Sequence, residues 1–333
     1  MKQELPIAIT LLATGLLLWV TQSASTSEIQ PAQSAEVSPA QAPPLVSEKV
    51  ISTPSLNPVL SSAGNGILNQ IATQFRDGPP HQGVLKISSQ LFGKQLNING
   101  RFWQHGQSSL KSRIELMPET EVPVKVTHLC DGRFCYRFRQ RETDQDLAFF
   151  DLGSFESSSD ASPGMTNPWI STASVDKLFS SLADCFQFNP KAVQGNPSLV
   201  ELVGTWQPEV LASLTIHQVE RKHIVPKIKY EELPPQFPHV VRVRLRKGPQ
   251  VPPRWAPISV DYLQLDDANP SELKVVMKVG FEQLQPGVQD LSLYRMENVA
   301  GRSVDISDRY KNRLRQILKK NRTAASPAPQ GVN

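Results

Sequence analysis

The feature that most limits what this chain can fold into is a two-residue alternation of apolar and polar side chains. Leu85, Ile87, Ser89 and Leu91 alternate with Lys86, Ser88 and Gln90; after the turn "FGKQ", Leu96, Ile98, Gly100 and Phe102 alternate with Asn97, Asn99 and Arg101. "LKSRIEL" continues it with Leu110, Ile114 and Leu116 against Lys111, Arg113 and Glu115, and Leu273, Val275, Met277, Val279 and Phe281 form a further apolar face. Successive side chains of a strand point to opposite faces, so each segment buries one side. A parallel sheet would give nearly continuous apolar runs; the alternation predicts antiparallel strands with one face that must be covered.

The cover is predicted from helical spacing. In "NGILNQIATQF" the residues Ile67, Leu68, Ile71, Ala72 and Phe75 recur on one side before "RDGPP" stops the helix. "SVDKLFSSLADCFQF" places Val175, Leu178, Phe179, Leu182 and Phe186 on one stripe, with Ser174 as N-cap. "SLVELVGTW" reads as a strand and "QPEVLASLTIHQV" as a helix with Pro208 in its first turn. Four extended segments follow: "HIVPKIKY", "HVVRVRLRK", "APISVDYLQL" and "ELKVVMKVGFEQL". A last helix, "DISDRYKNRLRQILKKN", buries Tyr310, Leu314, Ile317 and Leu318 and presents Lys311, Arg313, Arg315, Lys319 and Lys320 on its other side. Its cations suit the negative end of the helix dipole, or they face a membrane surface of anionic lipids.

The stretch "HLCDGRFCYRF", His128 to Phe138, offers a histidine, an acid and two cysteines. Val122, Val124 and Val126 lead into it, and Phe134, Tyr136 and Phe138 lead away, so it reads as a strand hairpin. A one-residue slip exchanges both faces of a strand. A two-residue loop would set the valines on the face of Arg137 and Arg139, whereas a loop of Asp131, Gly132 and Arg133 sets Cys130 opposite Phe134 and Val126 opposite Phe138. The apolar pattern selects the three-residue loop, which sends Cys130 and Cys135 to opposite faces and disfavours a disulfide between them. A zinc site would need Cys185 and one of six scattered histidines as further ligands, so no metal is expected. The odd cysteine count leaves a reactive thiol open.

The termini differ in kind from this body. Residues 1–25 carry Lys2, an uncharged run from Leu5 to Val20 and small residues beyond it, as a cleaved secretory signal does; an uncleaved inner-membrane anchor is the alternative. Residues 26–61 are rich in Pro, Ala and Ser and are expected to be a disordered linker, residues 62–322 the folded domain, and 323–333 a disordered tail. The expected location is therefore exported and periplasmic. A formal charge of +4 over 333 residues gives no general polyanion signal, and no nucleic-acid partner is expected.

About ten antiparallel strands with a helix before them and helices between them predict an α+β domain with a long curved antiparallel sheet. The succession "ILNQIATQF", "GVLKISSQLFGKQLNINGRFWQHG", "LKSRIEL", "HLCDGRFCYRF", "ISVDYLQLD" and "LKVVMKVGFEQL", over roughly residues 62–310, resembles the LolA-like family of periplasmic lipoprotein carriers. Gly100-Arg101-Phe102, Arg113-Ile114-Glu115, and Asp131-Gly132 followed by Tyr136 occupy the places of that family's short motifs. The resemblance implies a half-open β-barrel, covered by helices, whose apolar concave face holds acyl chains without a cofactor. The candidate lining is Leu85, Ile87, Leu91, Ile98, Phe102, Ile114, Leu116, Phe134, Tyr136 and Phe138, for each of which ordinary core packing is the competing role.

Catalytic motifs find no footing. There is no G-x-x-x-x-G-K-[ST], H-E-x-x-H or G-x-S-x-G, and the acid pairs Asp144/Asp146 and Asp266/Asp267 are expected in loops without partners. A non-enzyme is expected. Two readings remain: a carrier that binds lipid or an acylated protein in the sheet's concavity, or a membrane-tethered envelope module that uses the same fold to bind or sense a protein partner.

Overall fold

The computed structural model describes residues 58–305 except 92–93, 108, 143, 152–173, 214–215, 218–223, 226–237, 250–253, 267–268, 270–271, 288–289 and 297–301. The expected signal or anchor, most of the expected linker, the expected tail and the predicted basic C-terminal helix lie outside the described residues. Helix α1, Pro58–Asp77, starts before the apolar repeat that predicted it and ends where Gly78 N–H bonds the Gln74 carbonyl.

Strands β1 (His81–Leu91), β2 (Lys94–Gln104), β3 (Lys111–Pro118), β4 (Val124–Asp131), β5 (Phe134–Arg141) and β6 (Asp144–Asp151) follow as an antiparallel meander. Helix α2 (Val175–Cys185) then leads into β7 (Phe186–Ala192), β8 (Leu199–Trp206) and the short helix α3 (Pro208–Ser213). A two-stranded ribbon, β9 (Ile216–His217) with β10 (Ile224–Val225), stands apart. The described residues end with β11 (Val240–Lys247), β12 (Trp255–Leu265), β13 (Leu273–Pro286), a 3-10 turn (Leu291–Tyr294) and β14 (Arg302–Asp305).

The main sheet has twelve strands in the order β14-β6-β5-β4-β3-β2-β1-β13-β12-β11-β8-β7. The meander and the C-terminal strands meet where β13 pairs with β1, and the two outer strands do not pair with each other, so this α+β sheet is a half-open barrel. The β14–β6 pair is parallel, a departure from the all-antiparallel expectation.

One face of the sheet carries the core. From β1 to β4 it presents Leu85, Ile87, Ile98, Phe102, Ile114, Leu116 and Val126; from β13 to β7 it presents Met277, Phe281, Val260, Tyr262, Val241, Val243, Leu202 and Phe188. Leu68, Ile71 and Phe75 of α1 and Phe179 and Leu182 of α2 pack on it. Phe75 lies 6.2 Å from Phe102 and 6.4 Å from Phe179, and Phe281 lies 5.8 Å from Phe179, so four rings tie both helices to β2 and β13. The opposite face is charged at β8–β12. There buried Arg242 donates to Asp261 Oδ2 from Nε (3.1 Å) and Nη2 (2.9 Å), and Arg244 Nε donates to Glu201 (3.2 Å). Arg242 and Asp261 are removed from water together, which limits the desolvation cost, whereas Arg244 stays partly in water.

Several expectations are corrected. Asp144 and Asp146 lie in β6 rather than a loop, because their carboxylates engage Arg139 across the ladder; Asp266 does follow β12 in a loop, 3.6 Å from Lys274 Nζ. The helix after Pro208 stops at Ser213, and β-branched Ile216 instead pairs with Val225. Along β13, a bulge opposite Tyr262 and Leu263 inserts Val276, which is itself buried; the face predicted through Leu273, Val275 and Met277 is therefore broken between its second and third members.

Candidate functional site

The hairpin register decides which side chains share the apolar face. Cys130 pairs with Cys135, Val126 with Arg139 and Val124 with Arg141, so four residues, Asp131 to Phe134, separate the paired cysteines. The expected three-residue loop is one residue too short. Asp131 stabilises the longer turn: its Oδ1 accepts from the N–H groups of Arg133 (2.8 Å) and Phe134 (2.7 Å), and its Oδ2 accepts from the Tyr136 hydroxyl (3.2 Å). Gly132 supplies the positive φ of +104° that this turn requires. The local disulfide disfavoured from sequence is present. Cys130 and Cys135 are directly opposed with Cα atoms 4.3 Å apart and are bonded to each other.

The consequence runs through the candidate lining. Leu85, Ile87, Ile98, Phe102, Ile114 and Leu116 are brought together in one buried cluster. Leu91 is the last residue of β1. Phe134, Tyr136 and Phe138 are not brought to that cluster: the register turns them to the other side, where Phe134, Tyr136 and Phe149 of β6 lie with ring centroids 6.0–6.2 Å apart. In their place β5 sends Cys135, Arg137, Arg139 and Arg141 to the face of Val124, Val126, His128 and Cys130. Apolar pattern disfavours this facing because it sets cations beside valines, and the register that produces it is neither the two-residue nor the three-residue loop weighed from sequence.

Electrostatics at this margin follow from burial. His128, opposite Arg137, is buried, and burial and then the Arg137 charge lower its pKa to about 3, so its imidazole is neutral at physiological pH. The Arg137 guanidinium is lowered to about 10 by burial and by the Arg139 charge, and remains a cation at neutral pH. Arg139, with a side chain 19% exposed, pairs with Asp146 and, at 3.6 Å, with Asp144.

Two polar devices hold the helices over the apolar face. Asn65 of α1 donates from Nδ2 to the carbonyls of Ala183 (2.7 Å) and Phe186 (2.8 Å) and accepts from Phe188 N–H (2.8 Å). It thus satisfies an edge donor of β7 that no strand meets. Gln104 at the end of β2 accepts from Val175 N–H (3.1 Å) and donates to Asp176 (2.6 Å), so it caps α2 from outside. Ser174 does occupy the extended N-cap position, but its side chain makes no cap bond. Neither Asn65 nor Gln104 stands out in the sequence, since each partner is distant along the chain.

Cys185 is the free cysteine among the described residues; it is buried, and burial followed by the adjacent Asp184 pushes its thiol up to about 12. A thiolate is therefore scarce there. Among the described residues no three histidines, cysteines or acids are grouped to hold a metal ion, and no helix is long and apolar enough to cross a membrane.

No family model matches the chain, and no curated protein matches it. Solved structures with a similar arrangement include a DUF1329 family protein from Desulfovibrio piger, at 11% identity and TM-score 0.31, with 71% of this chain and 99% of that one covered. LprF from Mycobacterium bovis aligns at 14% identity and TM-score 0.32, covering 72% of this chain and 98% of that one. An outer membrane lipoprotein-sorting protein domain from Vibrio parahaemolyticus aligns at 8% identity and TM-score 0.27, covering 68% and 92%. These neighbours include a protein domain of the lipoprotein-sorting class that the strand succession resembles.

Proposed function

We propose that this protein is a non-enzymatic, exported binder of acyl chains, taking lipid or the lipid moiety of an acylated protein between its sheet and its two covering helices. One observation supports the reading above others. The apolar face runs across the sheet from β7 to β4, with Ser89 of β1 a buried polar member between Leu96 and Met277, and the described cover is a helix pair whose polar fastenings include Asn65 and Gln104. An acyl chain entering beneath α1 and α2 would exchange protein–protein for protein–lipid apolar contact. Each methylene it buried would contribute about 0.8 kcal/mol, so a few carbons offset the bonds lost when one latch opens. Transfer between proteins, periplasmic residence and tethering by residues 1–25 extend this reading. Titration of the full chain with a fluorescent phospholipid tests it: saturable binding, with faster amide exchange in α1 and α2 on loading, is expected, and absence of binding sinks it.

A second reading, an envelope module that docks a protein partner, is favoured by the half-buried aromatic trio Phe134, Tyr136 and Phe149 on the face away from the helices. Under it, Tyr136→Ala would weaken partner capture and leave phospholipid binding unchanged.

A further inference from the structure

Ser89 continues the buried alternation of Leu85 and Ile87 along β1, pairs with Leu96 of β2 and Met277 of β13, and is 1% exposed. Its Oγ has no hydrogen-bond partner among the described residues. A hydroxyl taken out of water without a partner is costly, the more so in surroundings of low dielectric, so buried hydroxyls in folded proteins are bonded to something. Ser259 Oγ and Asp261 Oδ1 share this condition, but Arg244 and Arg242 stand opposite those residues on the charged face. At Ser89 both cross-strand neighbours are apolar.

Position gives the ligand's class. On β1 and β2 the helices are held at the other end of the strands: Phe75 lies 4.9 Å from His81, and Gln104, which pairs with His81, binds Val175 and Asp176 of α2. Ser89 stands two residues before the end of β1 at Leu91, about 7 Å along the strand. Gln90 and Gln95, a pair at that hairpin, are exposed. The hydroxyl therefore lies between a buried apolar expanse, which begins at Ile87 and Ile98, and the wet rim of the sheet. An esterified amphiphile presents its groups in the same order: hydrocarbon, then a carbonyl that accepts a hydrogen bond without carrying charge, then a head group that keeps its water. A bare hydrocarbon would leave Ser89 unbonded, and a charged head group at this depth would lose its hydration.

We propose that Ser89 Oγ–H donates a hydrogen bond to the ester carbonyl of a bound acyl chain whose hydrocarbon runs past Ile87 and Ile98 toward the helices. The site rests on the acyl-binding reading above and narrows its substrate class to ester-linked lipid, with Ser89 as the residue that tells an ester from an ether.

The test uses the full chain and two probes that differ only at the linkage: NBD-labelled diacylglycerol and the NBD-labelled dialkyl ether with chains of the same length. Wild type is expected to bind the ester about tenfold more tightly than the ether, a difference of about 1.4 kcal/mol. Ser89→Ala should weaken ester binding about tenfold, leave ether binding unchanged, and unfold in urea at the same or a higher midpoint, because it removes an unbonded hydroxyl. Ser89→Thr keeps the hydroxyl and should keep part of the ester preference. Equal affinity of wild type for ester and ether would overturn the carbonyl bond while leaving acyl binding intact. Equal weakening of both probes in Ser89→Ala, or a lowered urea midpoint, would also overturn it, by showing that the hydroxyl serves the fold. Should either variant fail to fold, the wild-type comparison of the two linkages decides alone. Binding of neither probe to wild type would refute the acyl reading itself.

Discussion

Two glycines two residues apart on α1 should respond to the same substitution with opposite sign. Alanine in place of a helical glycine ordinarily stabilises by about 0.8–1 kcal/mol. A Cβ on Gly66 would meet nothing within 4 Å, so Gly66→Ala should gain about that amount. A Cβ on Gly64 would lie 2.2 Å from the Phe188 carbonyl oxygen and 2.6 Å from its carbon. Both are backbone atoms of β7, so relief comes only from moving α1 off that strand. Asn65 is next in sequence and makes three hydrogen bonds to α2 and β7. Overpacking costs about 1–3 kcal/mol and each weakened bond about 1 kcal/mol, against about 1 kcal/mol of propensity gain, so Gly64→Ala should lose about 3 kcal/mol. The two variants should differ by about 4 kcal/mol in urea unfolding at unchanged m-value. A Gly64→Ala protein as stable as Gly66→Ala would refute the seating of α1 on β7, and with it the description of the cover.

Further outcomes follow from single side chains. As pH falls below 6.5 the unfolded chain takes up a proton that folded His128 refuses until about pH 3, so stability should be lost across that window at up to about 1.4 kcal/mol per pH unit; His128→Gln should flatten the slope, and an unchanged slope would contradict the burial. Reducing the Cys130–Cys135 bond should cost roughly 2 kcal/mol for so short a loop, read as a lower urea midpoint in dithiothreitol. Gln104→Leu removes the external cap of α2, and amide exchange of residues 175–178 should accelerate about tenfold with β11 unchanged. Equal acceleration in both would mean that the cap does no local work.

The alternation of Leu85, Ile87, Ile98 and Phe102 was enough to predict antiparallel strands and their buried face, because a period of two has one structural meaning. The helices were legible in the same way from Leu68, Ile71 and Phe75 and from Phe179 and Leu182. At the hairpin the same logic misled. Phe134, Tyr136 and Phe138 offered the better apolar match, and the turn chemistry of Asp131 with Gly132, together with a covalent bond, outweighed it. The possibility of an Arg-bearing face was visible in "CYRFRQR", but pattern ranked it second. Asn65 and Gln104 act through partners more than seventy positions away, Gln104 on Val175 and Asp176 and Asn65 on Ala183, Phe186 and Phe188, and no local spacing signals such bonds. The inserted Val276 was hidden for a related reason, since a bulge is defined by the register of its neighbour, β12.

The central claim, acyl-chain binding beneath α1 and α2, is tested most directly by what the protein holds when purified. Full-chain protein prepared without detergent should yield, on organic-solvent extraction and mass spectrometry, about one acyl-bearing amphiphile per chain. Lipid-free protein that also fails to take up NBD-labelled phosphatidylglycerol or diacylglycerol would contradict the account and leave the apolar face as a core.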